Sequence, residues 1–224
     1  MTRLSDRDIE AIAQRVALDM RADRSAGAST SSQATGHVPG AFQTVDEAVG
    51  AAQAAQPLFV GLPLKTRAGI IAAIRETMMA NAEALARSAR DETGLGRYED
   101  KVVKNRLVTE KTPGLEELYP ESVTGDHGLT LMEPAPFGVI GAITPSTNPT
   151  STIICNAIGM LAAGNTVVFC VHPLARQCSI ETVALLNRAI TGAGGPENAV
   201  TCLSAPSIEL AQELMRHPGI RLLV

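Results

Sequence analysis

The sequence is poor in aromatic residues, in net charge and in long apolar runs, and each shortage excludes a class of protein. No apolar run reaches the roughly 18 residues that a membrane span needs, so we expect no membrane-spanning segment. The net charge is −4, and the four phenylalanines and two tyrosines are scattered, so we expect no nucleic-acid partner. With 224 residues, 45% of them hydrophobic, the chain can still bury the core of one generous domain or two small ones.

Motifs for metals, disulfides and nucleotides are also missing. The four cysteines form no C-x-x-C pair and have no clustered histidine or carboxylate, so we expect no metal site. Charges interrupt the apolar residues near Met1, so we expect no secretory signal peptide and a cytosolic protein with reduced thiols. Neither G-x-G-x-x-G after a strand nor G-x-x-x-x-G-K-[ST] occurs, so a standard dinucleotide-binding turn and a P-loop are both unsupported.

The first forty residues differ in character from the rest of the chain. Apolar residues recur at helical spacing from Ser5 to Met20, which predicts an amphipathic helix within residues 1–20. Residues 21–40 contain a tract of small residues, which predicts a flexible linker. The pattern leaves two interpretations of the helix open: a docking peptide for a partner, or a terminus that packs on its own domain or frays.

Three helices are predicted in the segment 42–114. Thr44 and Glu47 have the capping-box spacing for the start of the first, which extends to about residue 56. The second is a long apolar stripe with a break near Asn81 and an end at Gly94. The third carries an apolar set, Val102, Val103, Leu107 and Val108. We expect these helices to be scaffold without a role in chemistry.

From residue 128 onward, extended segments and helices alternate. Apolar strands are predicted at 138–144, 166–171, 199–203 and 220–224. Strands separated by helices are typical of β-α-β units, so we predict an α/β fold with a parallel sheet buried on both faces. Because the chain stops on an apolar strand, we expect it to be the N-terminal piece of a longer protein.

Three polar loops are predicted at the carboxyl ends of the strands, where such folds bind ligands. The first, residues 144–152, is rich in hydroxyl groups and precedes a helix, so it could hold an anion or an oxyanion, or simply cap the helix. The second places His172 after a buried strand, where it could face a nucleotide or serve as a structural hydrogen-bonding residue. The third, residues 204–207, is again rich in hydroxyls before a helix.

The cysteines are candidates for a nucleophile, but their positions favour packing. Cys170 and Cys202 lie in predicted strands. We expect Cys155 to be fully buried in its helix, and Cys178, near a helix start, to be more accessible. Buried free cysteines behave as small hydrophobic residues, so we interpret all four as structural.

The polar loops resemble those of a known family. Residues 136–176, PFGVIGAITPSTNPTSTIICNAIGMLAAGNTVVFCVHPLAR, closely resemble the coenzyme-A-acylating aldehyde dehydrogenases, and the segments 91–105 and 112–114 fit the same subgroup. The resemblance extends from about residue 42 to residue 224. It implies that residues 41–224 are an incomplete, Rossmann-like domain that binds NAD and coenzyme A, with an oligomerisation arm near 128–137.

The resemblance also implies roles for single residues. Thr147 stands where ordinary members have the asparagine that helps to hold the oxyanion, so it would support the oxyanion. His172 and Pro173 begin the segment that replaces the ribose-gripping motif of ordinary members, which suits a site that releases NADH and admits coenzyme A in turn. The predicted cofactor-binding residues are Ile143, Thr144, Pro145, Ser146, Thr147, His172, Pro173 and Ser207.

Chemistry and partners follow from the same resemblance. The implied reaction is NAD-dependent oxidation of a short-chain aldehyde to an acyl-CoA through a cysteine thioester. In the family the nucleophilic cysteine lies in the next domain, past Val224, so we expect this chain to supply the cofactor-binding half and to be inactive alone. The alternatives are a non-acylating aldehyde dehydrogenase, or a truncated non-catalytic protein for nucleotide binding or assembly.

The N-terminal extension gains a meaning from this kinship. Members that work inside bacterial microcompartments carry a similar extension as an encapsulation peptide, which favours docking of residues 5–20 to a shell protein or a lumen enzyme. We therefore expect a cytoplasmic protein inside a bacterial microcompartment. Kinship also leads us to expect a homo-oligomer.

Overall fold

The computed structural model describes residues 38–224. The predicted helix in residues 1–20, and all but the last three residues of the predicted linker 21–40, lie outside the described residues. Among the helices of residues 38–224, none combines the length and the apolar character that crossing a membrane requires.

Helices and strands alternate through the described part of the chain. The helices are α1 Val45–Val60, α2 Leu64–Ala80, α3 Ala82–Thr93, α4 Tyr98–Lys111, α5 Pro149–Ala162, α6 Arg176–Gly192 and α7 Ile208–Arg216. The strands are β1 Ala41–Phe42, β2 Glu121–Gly125, β3 Gly128–Met132, β4 Val139–Ile143, β5 Thr166–Cys170, β6 Val200–Leu203 and β7 Leu222–Leu223. Single 3₁₀ turns occupy Leu115–Glu117 and Pro173–Ala175.

The capping box at the start of α1 is confirmed, but the predicted end of that helix is wrong. The Thr44 hydroxyl accepts the N–H of Glu47 at 3.3 Å, and the Glu47 carboxylate accepts the N–H of Thr44 at 3.2 Å. The helix continues through Pro57 to Val60 instead of ending near residue 56. Phe59 is fully buried in the core, and this burial offsets the backbone bond that the proline removes.

Helices α2 and α3 follow the sequence pattern closely. The predicted break falls at Asn81, whose side chain donates to the Thr77 carbonyl at 2.8 Å. The predicted end falls at Gly94, which has a φ of +65° and donates its N–H to the Arg90 carbonyl. Glycine adopts this left-handed conformation without a steric penalty, so it ends the helix cleanly.

Helix α4 is turned differently from what its apolar residues predict. Val103 and Leu107 are 63% and 52% exposed, so the expected apolar stripe is only partly buried. The buried face carries Lys101, Asn105 and Thr109, which follow one another at intervals of four residues. A polar face of this kind must find hydrogen-bond partners in the protein, and it finds them beside the first polar loop.

The sheet has five parallel strands in the order β1-β6-β5-β4-β7, which confirms the α/β prediction. Strand β4 pairs with β5 so that Ile143 lies opposite Cys170, and β5 pairs with β6 so that Phe169 lies opposite Cys202. Strands β2 and β3 form a separate antiparallel hairpin. We did not predict β2, because its sequence ESVTG is polar and every residue of it is exposed.

Helices cover both faces of the sheet, as buried parallel strands require. On one face, Val167 and Phe169 of β5 pack in the larger core with residues of α2, α5 and α6. On the other face, Val168 and Cys170 pack with residues of α1 and α7. The strand ends that carry the polar loops therefore open at the edge of a sheet that has helices on both faces.

Candidate active site

The three predicted loops lie along one edge of the sheet. They follow β4, β5 and β6, which are neighbours in the sheet and run parallel, so their carboxyl ends meet at the same edge. The N–H of Thr144 donates to the Cys170 carbonyl at 3.2 Å and extends the pairing of β4 and β5 to the start of the first loop. The fold thus brings together segments that are about thirty residues apart in the sequence.

The first loop presents both buried and exposed polar groups. Thr144 is 2% exposed, and its Oγ1 has no hydrogen-bond partner within residues 38–224. Thr147 is exposed, and its Oγ1 accepts a bond from the Asn148 side chain at 3.4 Å. A hydroxyl that accepts one bond keeps its own hydrogen to donate, so Thr147 can give a hydrogen bond to an oxyanion. Of the remaining predicted residues, Ser146 is half-buried, and Ile143 and Pro145 are exposed.

Helix α4 holds this loop in place, which is a supporting role of the kind expected of the early helices. Lys101 donates from Nζ to the Thr147 carbonyl at 3.0 Å, and Lys104 donates to the Asn148 side chain at 3.0 Å. The buried Asn105 accepts the Thr150 hydroxyl at 2.9 Å. Lys104 and Asn105 follow Lys101 by three and four residues, so the three side chains lie on one face of α4. This spacing was the signal in the sequence that could have pointed to a polar contact face on the helix.

In the second loop, His172 makes a structural hydrogen bond, which is one of the two roles expected for it. Its Nδ1 accepts the N–H of Leu174 at 3.1 Å and caps the 3₁₀ turn that begins at Pro173. When Nδ1 accepts, the neutral ring carries its proton on Nε2, so Nε2 can still donate to a ligand. His172 is half-buried and Pro173 is exposed, so both remain available at the edge of the sheet.

In the third loop, Ser207 caps a helix. Its Oγ accepts the N–H of Leu210 at 3.2 Å at the start of α7. The loop is tied to the second one by Arg176, whose Nε donates to the Ser204 carbonyl. Ser207 therefore lies at the predicted edge as a half-buried helix cap.

Glu92, at the end of α3, is a residue that sequence reasoning missed. Its two carboxylate oxygens accept the N–H groups of Gln177 and Cys178 at 2.7 and 2.8 Å. These N–H groups belong to the first turn of α6, the kind of position that binds anions. Because the protein's own carboxylate fills this position, ligand phosphates would have to bind elsewhere along the edge.

The accessibility of the cysteines is the reverse of the prediction. Cys155 is half-buried, whereas Cys178 is fully buried between Ala89 and Ala175. The reason is that α3 covers the start of α6, a contact that the local sequence cannot show. Burial raises the pKa of the Cys178 and Cys202 thiols to about 12 and also raises the pKa of Cys170. These three thiols stay protonated at neutral pH and are poor nucleophiles.

A groove between α4 and α5 adjoins the first loop. Its lining combines apolar and polar side chains, among them Leu107, Val108, Asn148, Thr152 and Cys155. Within residues 38–224, no group of three or more histidine, cysteine or acidic side chains is placed to hold a metal ion. The chemical groups at this edge of the sheet are therefore hydroxyls, an imidazole and lysine ammonium groups, and an open groove lies beside them.

Comparison with known proteins places this arrangement in a family. Residues 28–224 match the model of the aldehyde dehydrogenase family. The acetylating acetaldehyde dehydrogenase of Escherichia coli K12 is 46% identical over 221 residues, which cover 99% of this chain and 46% of that protein. The CoA-propanoylating propanal dehydrogenase of Salmonella typhimurium is 44% identical over 184 residues, covering 82% of this chain and 40% of that protein. The chain thus spans less than half the length of these relatives.

Solved structures agree with the fold. A propionaldehyde dehydrogenase from the fucose utilisation microcompartment of Clostridium phytofermentans matches with a TM-score of 0.81 and 47% identity, over 83% of this chain and 42% of that chain. The propionaldehyde dehydrogenase of Rhodopseudomonas palustris, with bound CoA and an acylated cysteine, matches with a TM-score of 0.80 and 50% identity, over 82% and 42% of the two chains. On these matches, the chain belongs to the aldehyde dehydrogenase family.

Proposed function

We propose that this chain is the cofactor-binding part of an enzyme that oxidises a short-chain aldehyde to an acyl-CoA with NAD as the hydride acceptor. The observation that carries the proposal is the alignment of three polar loops along the carboxyl edge of β4, β5 and β6. The similarity to acetylating and CoA-propanoylating dehydrogenases supports the acylating reaction over simple oxidation to an acid.

The donors along the edge fit the ligands that this reaction needs. The buried Thr144 hydroxyl, at the start of the first loop, has no hydrogen-bond partner in the described part of the chain, so its hydrogen is not committed to another protein group. The Nε2 of His172 and the hydroxyl of Ser207 add two further polar groups. We assign Ile143, Pro145 and Ser146 to the same site because they share the first loop.

In the proposed reaction, the chain's own residues position the reacting groups and stabilise the negative charge that develops on the carbonyl oxygen. A cysteine thiolate outside these 224 residues adds to the aldehyde carbon, and the carbonyl oxygen becomes an oxyanion beside Thr147. The Thr147 hydroxyl donates to this oxyanion and lowers the barrier to its formation. When bound at this edge of the sheet, NAD would supply the hydride acceptor for oxidation of the cysteine adduct to a thioester, and coenzyme A would be the co-substrate that takes the acyl group and leaves the cysteine as a thiolate.

The proposal is tested with the complete protein that carries this chain. We expect NADH formation that depends on an aldehyde, with sustained turnover only when coenzyme A is present and acyl-CoA as the product detected by mass spectrometry. Sustained turnover to the free acid without coenzyme A would instead establish the non-acylating alternative. No NADH under either condition would leave the non-catalytic alternative.

Thr147 offers a matched pair of variants. Thr147→Ser keeps the hydroxyl, whereas Thr147→Val removes it and keeps the shape. If the hydroxyl supports the oxyanion, the valine variant should lose roughly 10²-fold in kcat while the serine variant stays close to wild type. Equal rates for the two variants would remove Thr147 from the proposed mechanism.

We also propose that the segment near 128–137, which begins with β3 of the β2–β3 hairpin, is an oligomerisation arm. All ten residues of the two strands are exposed, including the apolar Val123, Leu129 and Leu131. A hairpin with apolar side chains on its surface gains stability when a second copy covers it. Leu129→Asp combined with Leu131→Asp should convert an oligomer to a monomer in light scattering, and an unchanged mass would contradict the assignment.

We propose, finally, that residues 5–20 dock to a shell protein or a lumen enzyme inside a bacterial microcompartment in the cytoplasm. The similarity to a dehydrogenase from such a compartment supports this location. Residues 1–20 fused to a fluorescent protein should co-purify with the host's microcompartments. Substituting aspartate for Ile9 and Val16 should abolish this, and retention of the doubly substituted fusion would contradict the docking role.

A further inference from the structure

Lys101 is a buried cation beside the candidate site. The residue is only 6% exposed, and its Nζ donates to the Thr147 carbonyl at 3.0 Å. Within residues 38–224, no carboxylate lies within ion-pair distance of this ammonium group. The nearby Cys178 thiol does not neutralise it, because burial keeps that thiol protonated.

A structural role alone explains this arrangement poorly. Taking an ammonium group out of water without a counter-charge is unfavourable, and an apolar residue of similar volume is often equally or more stabilising in such places. Burial, and next the charge of Lys104, lower the pKa of Lys101, which reflects the same unfavourable environment. The positive charge is therefore retained at the expense of stability, next to the loop in which the reaction would develop negative charge.

The single bond of Lys101 also fixes a peptide group. The peptide between Thr147 and Asn148 is planar and trans, so holding its carbonyl oxygen also fixes the direction of its N–H. The Thr147 side chain starts from the same backbone, and its hydroxyl is the proposed oxyanion donor. A donor that is held before the reaction stabilises the oxyanion without reorganising as the charge forms.

We infer that Lys101 is a positioning residue: it holds the Thr147 main chain in the productive orientation and adds an unneutralised positive charge beside the developing oxyanion. It acts through Thr147, without touching the substrate. This inference rests on the proposed function. It goes beyond that function by assigning a kinetic role to helix α4, in the step that forms and oxidises the cysteine adduct.

The test separates rate from the number of active sites. In the complete protein without coenzyme A, each active site should release one NADH in a burst, since the thioester then has no acceptor. The burst amplitude counts the folded, competent sites, and the burst rate constant reports the step that Lys101 assists. Lys101→Met removes the ammonium and keeps the stem, while Lys111→Met is the matched control, because Lys111 is on the same helix with a largely exposed side chain.

We expect Lys101→Met to keep the amplitude and to lower the burst rate constant roughly 10- to 100-fold, with the KM for aldehyde within about threefold of wild type. Lys111→Met should match wild type in both quantities. Lys101→Arg, which keeps a cation, should recover part of the lost rate. If Lys101→Met does not fold, Lys101→Gln serves in its place, since it keeps a donor without the charge.

Two other outcomes would overturn the inference. A reduced amplitude with an unchanged rate constant in the Met or Gln variant would assign Lys101 a purely structural role. A wild-type rate in both variants would show that the charge does not act on the reaction. Failure of the proposed function itself is distinguishable in the wild-type protein, which would then give either no NADH with any aldehyde or sustained NADH formation without coenzyme A in place of a single burst.

Discussion

Replacing Asn105 with alanine probes the contact that links helix α4 to the helix following the first loop. Asn105 is 1% exposed, donates to the Ala82 carbonyl at 3.1 Å and accepts the Thr150 hydroxyl at 2.9 Å. Asn105→Ala leaves the buried Thr150 hydroxyl without this partner. We therefore expect the free energy of unfolding to fall by about 2–3 kcal/mol, the penalty for stranding a buried polar group.

A double-mutant cycle isolates the bond from the small cavity that alanine leaves. Thr150→Val removes the hydroxyl, keeps the shape and should cost about 1–2 kcal/mol, because the Asn105 Oδ1 loses that partner. Since the two variants break one shared bond, the double variant should be more stable than the sum predicts, by about 1 kcal/mol. A second cycle with Thr191→Val is the control, because Thr191 bonds to the Asn187 and Arg188 carbonyls on α6 instead.

Urea denaturation followed by circular dichroism measures all variants, since the chain contains no tryptophan to report by fluorescence. Losses for Asn105→Ala and Thr150→Val that add to within about 0.3 kcal/mol would refute the reasoning, because additivity means that the sites do not interact. Coupling in the control cycle as large as in the test cycle would refute it equally, since the effect would then not belong to this bond.

Three further predictions follow from burial and backbone geometry. In the native protein, iodoacetamide should modify Cys155 and leave Cys178 unmodified, as read by peptide mass spectrometry; the reverse order would contradict the packing of α3 on α6. Gly40→Ala should lower the free energy of unfolding by more than about 2 kcal/mol, because the φ of Gly40 is +79° and an added Cβ would lie 2.7 Å from a backbone oxygen. Gly50→Ala is the control: its Cβ would enter open space, so the same denaturation assay should show an unchanged or higher free energy of unfolding. Folding lowers the pKa of Lys101, so the unfolded chain binds the Lys101 proton more tightly than the folded protein does. The free energy of unfolding should therefore rise with pH in the alkaline range below 10.5. A plot of this free energy against pH that is no steeper for the wild type than for Lys101→Met would disprove this.

Much of the fold was predictable because its central strands are buried along nearly their whole length. Strands β4, β5 and β6 are apolar runs between helices, and the predicted boundaries lie within one residue of the observed ones. Strand β2 and the orientation of α4 were not predictable in this way. An exposed strand has no apolar pattern to reveal it, and the buried face of α4 is polar because its partners are polar groups of a loop far away in the sequence.

The candidate site likewise has a part that the sequence predicts and a part that it does not. Its loops were predictable, since hydroxyl-rich segments follow buried strands at positions where parallel sheets bind ligands. The contacts that support them were not. Lys101 reaches Thr147 across 46 residues, and Glu92 reaches the first turn of α6 across 85 residues.

The sequence by itself determined the α/β class, most helix ends and the three loops, because these depend on patterns among residues that are near one another in the chain. Only the tertiary structure decided which side chains hold the loops, which cysteine is accessible and that a glutamate fills the start of α6. Each of these depends on which helices pack together, and packing is chosen by the energy of the whole core and not by any local pattern. The burial of a cation beside Thr147 is such a feature: the spacing places Lys101 on one face of α4, but only the packing of that helix brings this face against Thr147.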